Sequence, residues 1–499
     1  MSTASPADAS SRPTDPAPSG SDRAPSTRRG WRIDVAVLAI VAMVLRLPAF
    51  FASRSMIFDD GVYGMSAVAM RHGELPFRDI FSSQGPLHLP LLFVADLVGL
   101  RTLNGTRILP MAAGITATIA MYAVARRVST RPGAIVAALL LTTSGSVIAV
   151  TGPITSDGSA MAFTLLALLA ALRYREAPSP GRAVVVGLLA GAGLATKVVM
   201  FPVGIPIAVL MLSRRRWREV AIGAGTAVGF LLLAALPWGL AAVWDQSIEY
   251  HRVARRSLSY GGNASKVVST LVERDPAVLV ALVVAVVLGC IIARGWPPSP
   301  EDPVGGDRMG SRFVTAMVVP WIVVQFGFLV AESGLWKAHV VHMVPPLVVL
   351  VAVFAVPLAV TKTVAVVSLV ILPFQFMQVE QFLRPGGYTG HEAQIMEKLE
   401  ALPPGAIVIT DEPGFAWRAG RDIPVRYVDT SWQRIEEGRI TADDVVNDAR
   451  ASDVCAVVAW GPGHFAKLPD LPERLETEGF VARRLGNDAV YYARPACRP

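Results

Sequence analysis

Eleven apolar runs, at about 31–52, 107–125, 132–150, 158–172, 183–199, 200–212, 220–243, 277–293, 313–331, 339–360 and 363–381, follow one another between short polar turns. A helix needs roughly 20 apolar residues to cross the hydrocarbon core. Several of the runs are shorter, which predicts some tilted or irregular spans. Pro86–Leu100 is apolar but too short to span and carries His88 and Asp96, so it predicts a helix lying at the interface. From about residue 390 short apolar segments such as Ala406–Thr410, Val454–Trp460 and Ala489–Ala493 alternate with polar helical stretches, the signature of a small α/β domain. The expected fold is a mainly α polytopic membrane protein of about 11 transmembrane helices with a small C-terminal α/β extracytoplasmic domain. Residues 1–27, nearly all Ser, Pro, Ala, Asp, Gly, Thr and Arg, predict a disordered cytoplasmic tail. Residues 28–384 form the membrane domain, with long outer loops at 53–106 and 244–276, and residues 385–499 form the outer domain.

Charge supplies the orientation. Arg28, Arg29 and Arg32, then Arg126, Arg127 and Arg131, then Arg173, Arg175 and Arg182, then Arg214, Arg215, Arg216 and Arg218, then Arg294, Arg308 and Arg312 all fall on one side of an alternating path. Basic loops stay cytoplasmic, so the N-terminus is expected inside and the C-terminal domain outside the plasma membrane. The first span, with no apolar stretch before Trp31, reads as an uncleaved anchor.

Composition agrees with a membrane chain: 53% of the 499 residues are hydrophobic and only 17% charged, against roughly 25% charged in soluble domains. The net charge of +7 does not signal a nucleic-acid partner. From Pro385 onward there are 13 basic and 18 acidic residues, so the positive excess sits in the membrane half, where membrane lipids are its partners. No Gly-x-Gly-x-x-Gly or phosphate-binding loop occurs in the C-terminal segment. Three cysteines exclude a disulfide framework, although Cys455 and Cys497 could pair or stay free.

Candidate chemistry concentrates in the first outer loop. It reads Phe58-Asp-Asp-Gly-Val-Tyr-Gly64, then Arg71-His-Gly-Glu-Leu-Pro-Phe-Arg-Asp79, then Gln84-Gly-Pro-Leu-His88. An acid emerging from a membrane is costly unless hydrated or partnered, and a raised pKa suits it to base catalysis. The plainer alternative is that Asp59 caps a helix beginning at Gly61. Further on come Thr155-Ser-Asp157, Gly191-Ala-Gly-Leu-Ala-Thr-Lys197 and His339-Val-Val-His-Met-Val-Pro-Pro346.

In order and sidedness these motifs resemble the C-type (GT-C) membrane glycosyltransferases, the branch holding protein O-mannosyltransferases, lipid A aminoarabinose transferases and their bacterial family 39 relatives. The resemblance covers roughly residues 31–380. It implies an inverting transfer from a polyprenyl-phosphate sugar donor to a hydroxyl of a cell-envelope glycan, lipid or protein. Catalysis would fall to Asp59 or Asp60. Relatives often carry Asp-Glu where this chain has Asp59-Asp60, which leaves open which acid is the base. The leaving lipid phosphate calls for cations on the same side, and Arg78, Lys197, Lys337, His339 and the His251, Arg252, Arg255 and Arg256 group all lie in predicted outer segments. Snorkelling or lipid-headgroup attraction is the alternative for any single member of that group. Tyr63 and Asp157 complete the expected substrate-binding set, with helix capping the alternative for Asp157. His339 and His342 share a helix face, but a metal would need carboxylates from elsewhere, so no metal cofactor is expected.

A multi-span transporter with an extracytoplasmic accessory domain is the rival from another class. Its ionisable residues would sit near the midplane of matching halves, whereas here the acids lie at span ends and no repeat is visible. The C-terminal domain is expected to assist acceptor binding, using exposed aromatics drawn from Trp417, Trp432 and Trp460, without entering the bond-making step.

Overall fold

The computed structural model describes residues 25–295, 311–461, 464–486 and 489–497. Residues 1–24 of the expected tail, and Arg308, lie outside that set; the first helix already begins at Pro25. Each of the eleven apolar runs coincides with helix. Six of the described helices are long and apolar enough to cross a membrane, and two bent pairs bring the number to eight if each pair is one span. Pro180–Thr196 and Val198–Leu212 are apolar but shorter.

Both bends have a physical cause. Arg131–Thr143 and Gly145–Thr151 meet at 57° at Ser144, whose hydroxyl caps the second helix by accepting the Val147 N–H. Tyr260–Arg274 and Pro276–Ile292 meet at 92°, where Pro276 has no N–H to continue the ladder. Asp275, fully buried at that corner, accepts the Ser144 and Ser146 hydroxyls at 2.5 Å each. The two breaks are thus stitched to each other, and the backbone groups they free are answered inside the protein, as a low-dielectric surround requires.

The polar turns sort to two ends, as the alternating path predicts. At one end Arg131 forks onto Asp34 at 2.8 Å, Arg127 reaches Glu176 at 2.7 Å, and Arg214 donates to the Arg175 carbonyl. At the other end the 82–87 loop joins two segments: Gly85 N–H donates to Thr196 O, and Gln246 and Ser247 bond to Ser82 and Gln84. The 257 and 333 segments meet there as well, through Ser257 N–H to Ser333 O.

Beyond Gly390 a four-stranded sheet has the order β1-β2-β4-β3, with β1 (Ile407–Thr410) parallel to β2 (Val454–Trp460), and β4 (Ala489–Ala493) antiparallel to both β2 and β3 (Val481–Leu485). The expected strands are present. β3 was not anticipated, because Val481, Arg483 and Arg484 are exposed on an edge, where charge replaces the apolar alternation that marks a strand. Cys455 and Cys497 form a disulfide, and Cys290 is free.

The sheet domain is docked on the membrane domain, and that changes the reading of its aromatics. Trp417, on the Pro413–Ala419 helix, is 2% exposed and packs on the Phe58–Arg71 helix, so it is core and presents no sugar-stacking face. Trp460 is half-buried with its ring edge-on to Phe415, and Lys467 covers Trp432. The two helices approach backbone to backbone: a Cβ at Gly61 would collide with Gly414, and one at Gly64 would fall inside the Trp417 ring. Arg418 closes the seam by donating to Ala52 O and Ser53 O and to the Asn104 side chain.

We expect Gly64→Ala to lower stability by about 1–3 kcal/mol, the scale of overpacking a tight contact. Thermal unfolding in detergent with a Trp fluorescence readout would register it; an unchanged midpoint would contradict the packing.

Candidate functional site

Asp59 and Asp60 are neighbours in sequence and opposites in environment. The helix starts at Phe58 with Ile57 as its N-cap residue, so Asp59 does not cap it. Successive helical residues are turned by about 100°, which sends the two carboxylates apart. Asp60 is fully buried: Arg107 Nη2 meets its Oδ2 at 2.5 Å, and the Met56 and Ile154 N–H groups donate to it at 3.2 and 2.8 Å. Arg107 also donates to Ala49 O and Arg54 O. Asp59 is half-buried and, among the described residues, makes no hydrogen bond or ion pair. Burial raises its pKa to about 6, with Lys197 pulling down, Asp429 and Asp157 pushing up, and His339 pulling down.

Around Asp59 the segments gathered at this end supply an ordered set. Tyr63, one helical turn on, is buried with its ring edge-on to His88 at 4.5 Å. Burial and the charges of Asp59, Asp429 and Asp157 hold its phenol well above 10. His88 is fully buried with neither ring nitrogen hydrogen-bonded, and burial drops its pKa to about 3, so it stays neutral. Asp157 opens the Ser156–Glu176 helix, yet the N-cap residue is Thr155 and Asp157 does not cap. It takes Lys197 Nζ at 2.7 Å and His342 Nε2 at 2.9 Å. Lys197 follows the end of the Pro180–Thr196 helix and is fixed by that carboxylate.

Beside Lys197 opens a cavity of about 450 Å³, lined by Gln84, His251, Arg252, Arg256, Glu332 and His339 together with Val198, Phe328 and other chain. His339 Nδ1 lies 2.7 Å from Glu332 and Arg252 is forked onto Glu249. Arg256 donates to the Ala331 and Glu332 carbonyls and stacks on Tyr260, with no carboxylate partner among the described residues. In the tight helix Lys337–Met343, His339 and His342 engage separate carboxylates, Glu332 and Asp157. Among the described residues no group of three His, Cys, Asp or Glu side chains is arranged to share an ion. A π-helical turn, Asp245–Glu249, aims Ser247 and Ile248 at the cavity, and such turns are frequent at functional sites.

The structure therefore brings together Asp59, Tyr63, Asp157, Lys197 and His339 from the expected set. Three others stay apart. Arg78 is exposed, with Asp79 its nearest acid at 3.9 Å; Arg255 is exposed and off the cavity wall; Lys337 is spent on Glu273 at 2.8 Å. Position in a loop tells which end a cation occupies and nothing about its distance from the acid. Arg252, at the end of the Tyr250–Val253 helix, and Arg256, in the irregular stretch after it, line the wall instead. Glu332 and Asp429 were missed. Glu332 had a faint signal as the acid ending a span on the predicted outer side; Asp429 had none, because it arrives from the C-terminal domain.

A family model described as dolichyl-phosphate-mannose-protein mannosyltransferase matches residues 90–238. The structure of ArnT from Cupriavidus metallidurans bound to undecaprenyl phosphate superposes with a TM-score of 0.63 at 14% identity, covering 94% of this chain and 99% of that one. The chain shares the fold of that protein. ArnT in the apo state matches equally well, with a TM-score of 0.62 at 14% identity over 94% and 99% of the two chains. That fold is shared more distantly by the oligosaccharyltransferase AglB from Archaeoglobus fulgidus in complex with an inhibitory peptide and a dolichol-phosphate. There the TM-score is 0.51 at 13% identity, over 94% of this chain and 75% of that one. No curated protein matches by sequence.

Asp60→Asn is expected to cost about 3–5 kcal/mol, since it strands Arg107 in a buried site, whereas Asp59→Asn should fold normally. For Asp59 the folded pKa lies above the unfolded value of roughly 3.9, so its ionised form opposes folding and stability falls as pH rises from about 4 to about 6. Asp59→Asn should flatten that window in a comparison of unfolding midpoints at pH 4.5 and 7; an unchanged slope would contradict the burial of an unpaired acid.

Proposed function

We propose that this protein is a membrane glycosyltransferase that moves a sugar from a polyprenyl-phosphate carrier to an acceptor hydroxyl at the outer face of the plasma membrane. The observation that carries the reading is the juxtaposition of an unpaired acid, Asp59, with a cation-lined cavity. The fold shared with ArnT bound to undecaprenyl phosphate supports a lipid-phosphate donor. Its hexose or pentose and its acceptor, a cell-envelope glycan, lipid or protein, stay general.

In this reading Asp59 takes the proton of the acceptor hydroxyl as that oxygen attacks the anomeric carbon from the face opposite the phosphate, and the configuration inverts. The bond to phosphate breaks with its electron pair leaving on the lipid phosphate. Charge growing there is met by Lys197, His339, Arg252 and Arg256. Asp60 holds the helix and takes no proton; Tyr63 and Asp157 position. The mechanism assigns no step to a metal. The C-terminal domain and the acidic loop lie outside and the Arg-rich turns inside, supported by the separation of the two ends.

Two measurements test it. Asp59→Asn should reduce transfer by about a hundredfold or more, the scale of a lost general base; near-normal turnover would end the assignment. In the wild type, activity should rise with pH through about 6 as Asp59 loses its proton, so a rate flat from pH 5 to 7.5 would also contradict it. For the orientation, a cysteine placed at 440 should be labelled by a membrane-impermeant reagent in intact cells, and protection there would reverse the topology.

A further inference from the structure

The seam between the C-terminal domain and the Phe58–Arg71 helix holds a second acid that makes no ion pair among the described residues. This is Asp429, which is 7% exposed. One carboxylate oxygen accepts the Ser431 N–H at 2.8 Å, while Arg434 donates to the Asp429 main-chain carbonyl and Thr430 to Asp411 O. The other oxygen accepts no hydrogen bond among the described residues and is not completely sealed from solvent. Asp429 follows Val428, which packs in one apolar cluster with Val62 and Tyr63 of the Phe58–Arg71 helix, and its charge is felt at Asp59, Tyr63 and Tyr250. Its backbone is fixed from both domains: Ser431 Oγ is 3.0 Å from Tyr250 OH, and Gln433 Nε2 donates to Tyr250 O at 2.5 Å.

A buried carboxylate without an ion pair is costly; the nearest cation, Arg434, spends its donors on the Arg426 and Asp429 carbonyls and makes no ion pair with the carboxylate. Its free oxygen can only accept. Lys197, Arg252, Arg256 and His339 line the cavity, while Arg434 sits beside Asp429 with its donors turned to main-chain carbonyls. An acceptor approaching Asp59 from the seam therefore meets a hydrogen-bond acceptor of negative charge, which suits a hydroxyl and repels a phosphate or carboxylate.

We infer that Asp429 is a positioning residue through which the C-terminal domain orients the acceptor, and that the acceptor is a neutral polyol, a sugar ring carrying adjacent hydroxyls. Asp429 accepts the hydrogen bond of one hydroxyl and keeps its own charge, while the neighbouring hydroxyl loses its proton to Asp59 and bonds to the anomeric carbon as the phosphate leaves. This rests on Asp59 being the base. It also departs from the expectation that the domain stays clear of the reacting groups.

The full-length protein in lipid nanodiscs is assayed first with a panel of polyprenyl-phosphate mannose, arabinose and aminoarabinose. Turnover of none of them by the wild type would fell the proposed function itself. With the donor that is used, methyl α-D-mannoside should be a better acceptor than mannose 6-phosphate; preference for the phosphate, or transfer to neither while donor hydrolysis continues, overturns the inference and leaves the base assignment standing. Asp429→Asn should raise the KM for the methyl mannoside about tenfold, the effect of losing a hydrogen bond to a charged group, and Asp429→Glu should restore most of it. The groups facing Asp59 are Lys197 and His339, which favour its ionised form, and Asp429, Asp157 and Glu412, which oppose it. Removing the Asp429 charge should thus move the acid limb of the pH profile to lower pH, a shift that a merely structural role would not produce. An unchanged KM with an unmoved limb overturns the inference. Matching unfolding midpoints keep a folding defect from being mistaken for support, and if Asp429→Asn fails to fold, a wild-type KM and limb in a folded Asp429→Ser variant overturns it just as well.

Discussion

The site depends on one buried ion pair. Arg107, at the foot of the Ile108–Val128 span, holds Asp60 at 2.5 Å and clasps the Ala49 and Arg54 carbonyls, while Asp60 takes the Ile154 N–H. Four stretches of chain are thereby fixed to each other: the end of the first span, the loop helix, the foot of a second span and the lead-in to the Ser156–Glu176 helix. Such a pair contributes little net stability compared with an apolar replacement, but removing one member is expensive. Its value here is geometric. With Asp60 locked inward, the turn of the helix leaves Asp59 facing away from every partner, and an acid without a partner in a half-buried place is one whose proton affinity rises toward neutral pH.

Rigidity on the other face of that helix comes from the absence of side chains. Gly61 and Gly64 let the Pro413–Ala419 helix and Trp417 settle against it. The acid is therefore clamped between the bundle, through Asp60, and the sheet domain, through Trp417. Deleting the domain would expose this face, so the domain cannot be a detachable accessory in the structural sense, whatever its share in recognising an acceptor.

Much of the architecture was legible because hydrocarbon imposes a simple rule on sequence. Apolar runs must be helical, and all eleven are. Their turns sort by charge, and the chain sorts them likewise. The same rule hides what happens at span ends. Lys337 and Lys197 read alike in sequence, but one meets Glu273 and the other Asp157 beside the cavity. Arg255 and Arg256 are neighbours in an irregular stretch, and the Ala331 and Glu332 carbonyls that hold Arg256 at the wall are remote in sequence. β3 was invisible because an exposed edge strand carries no buried alternation. Asp429 was invisible for a different reason: its relation to Asp59 exists only through docking, across a separation of 370 residues that no local pattern spans.

The cavity is less positive than a roll of its cations suggests. Lys197 is answered by Asp157, His339 by Glu332 and Arg252 by Glu249, leaving Arg256 without a carboxylate among the described residues. Carboxylate partners hold the cations in place before anything binds, which removes the entropy of ordering them. They also weaken the grip on a resting phosphate diester, whose charge is spread and modest. In the proposed reaction charge collects on the phosphate as the sugar departs and the fixed cations become worth more, so stabilisation grows along the reaction and is not exhausted in binding the donor. A cavity of bare cations would bind donor and spent lipid phosphate tightly and release the latter slowly. On the proposed function, pairing three of the four cations with an acid trades ground-state affinity for turnover, which gives Asp157 and Glu332 a role in a site for an anion.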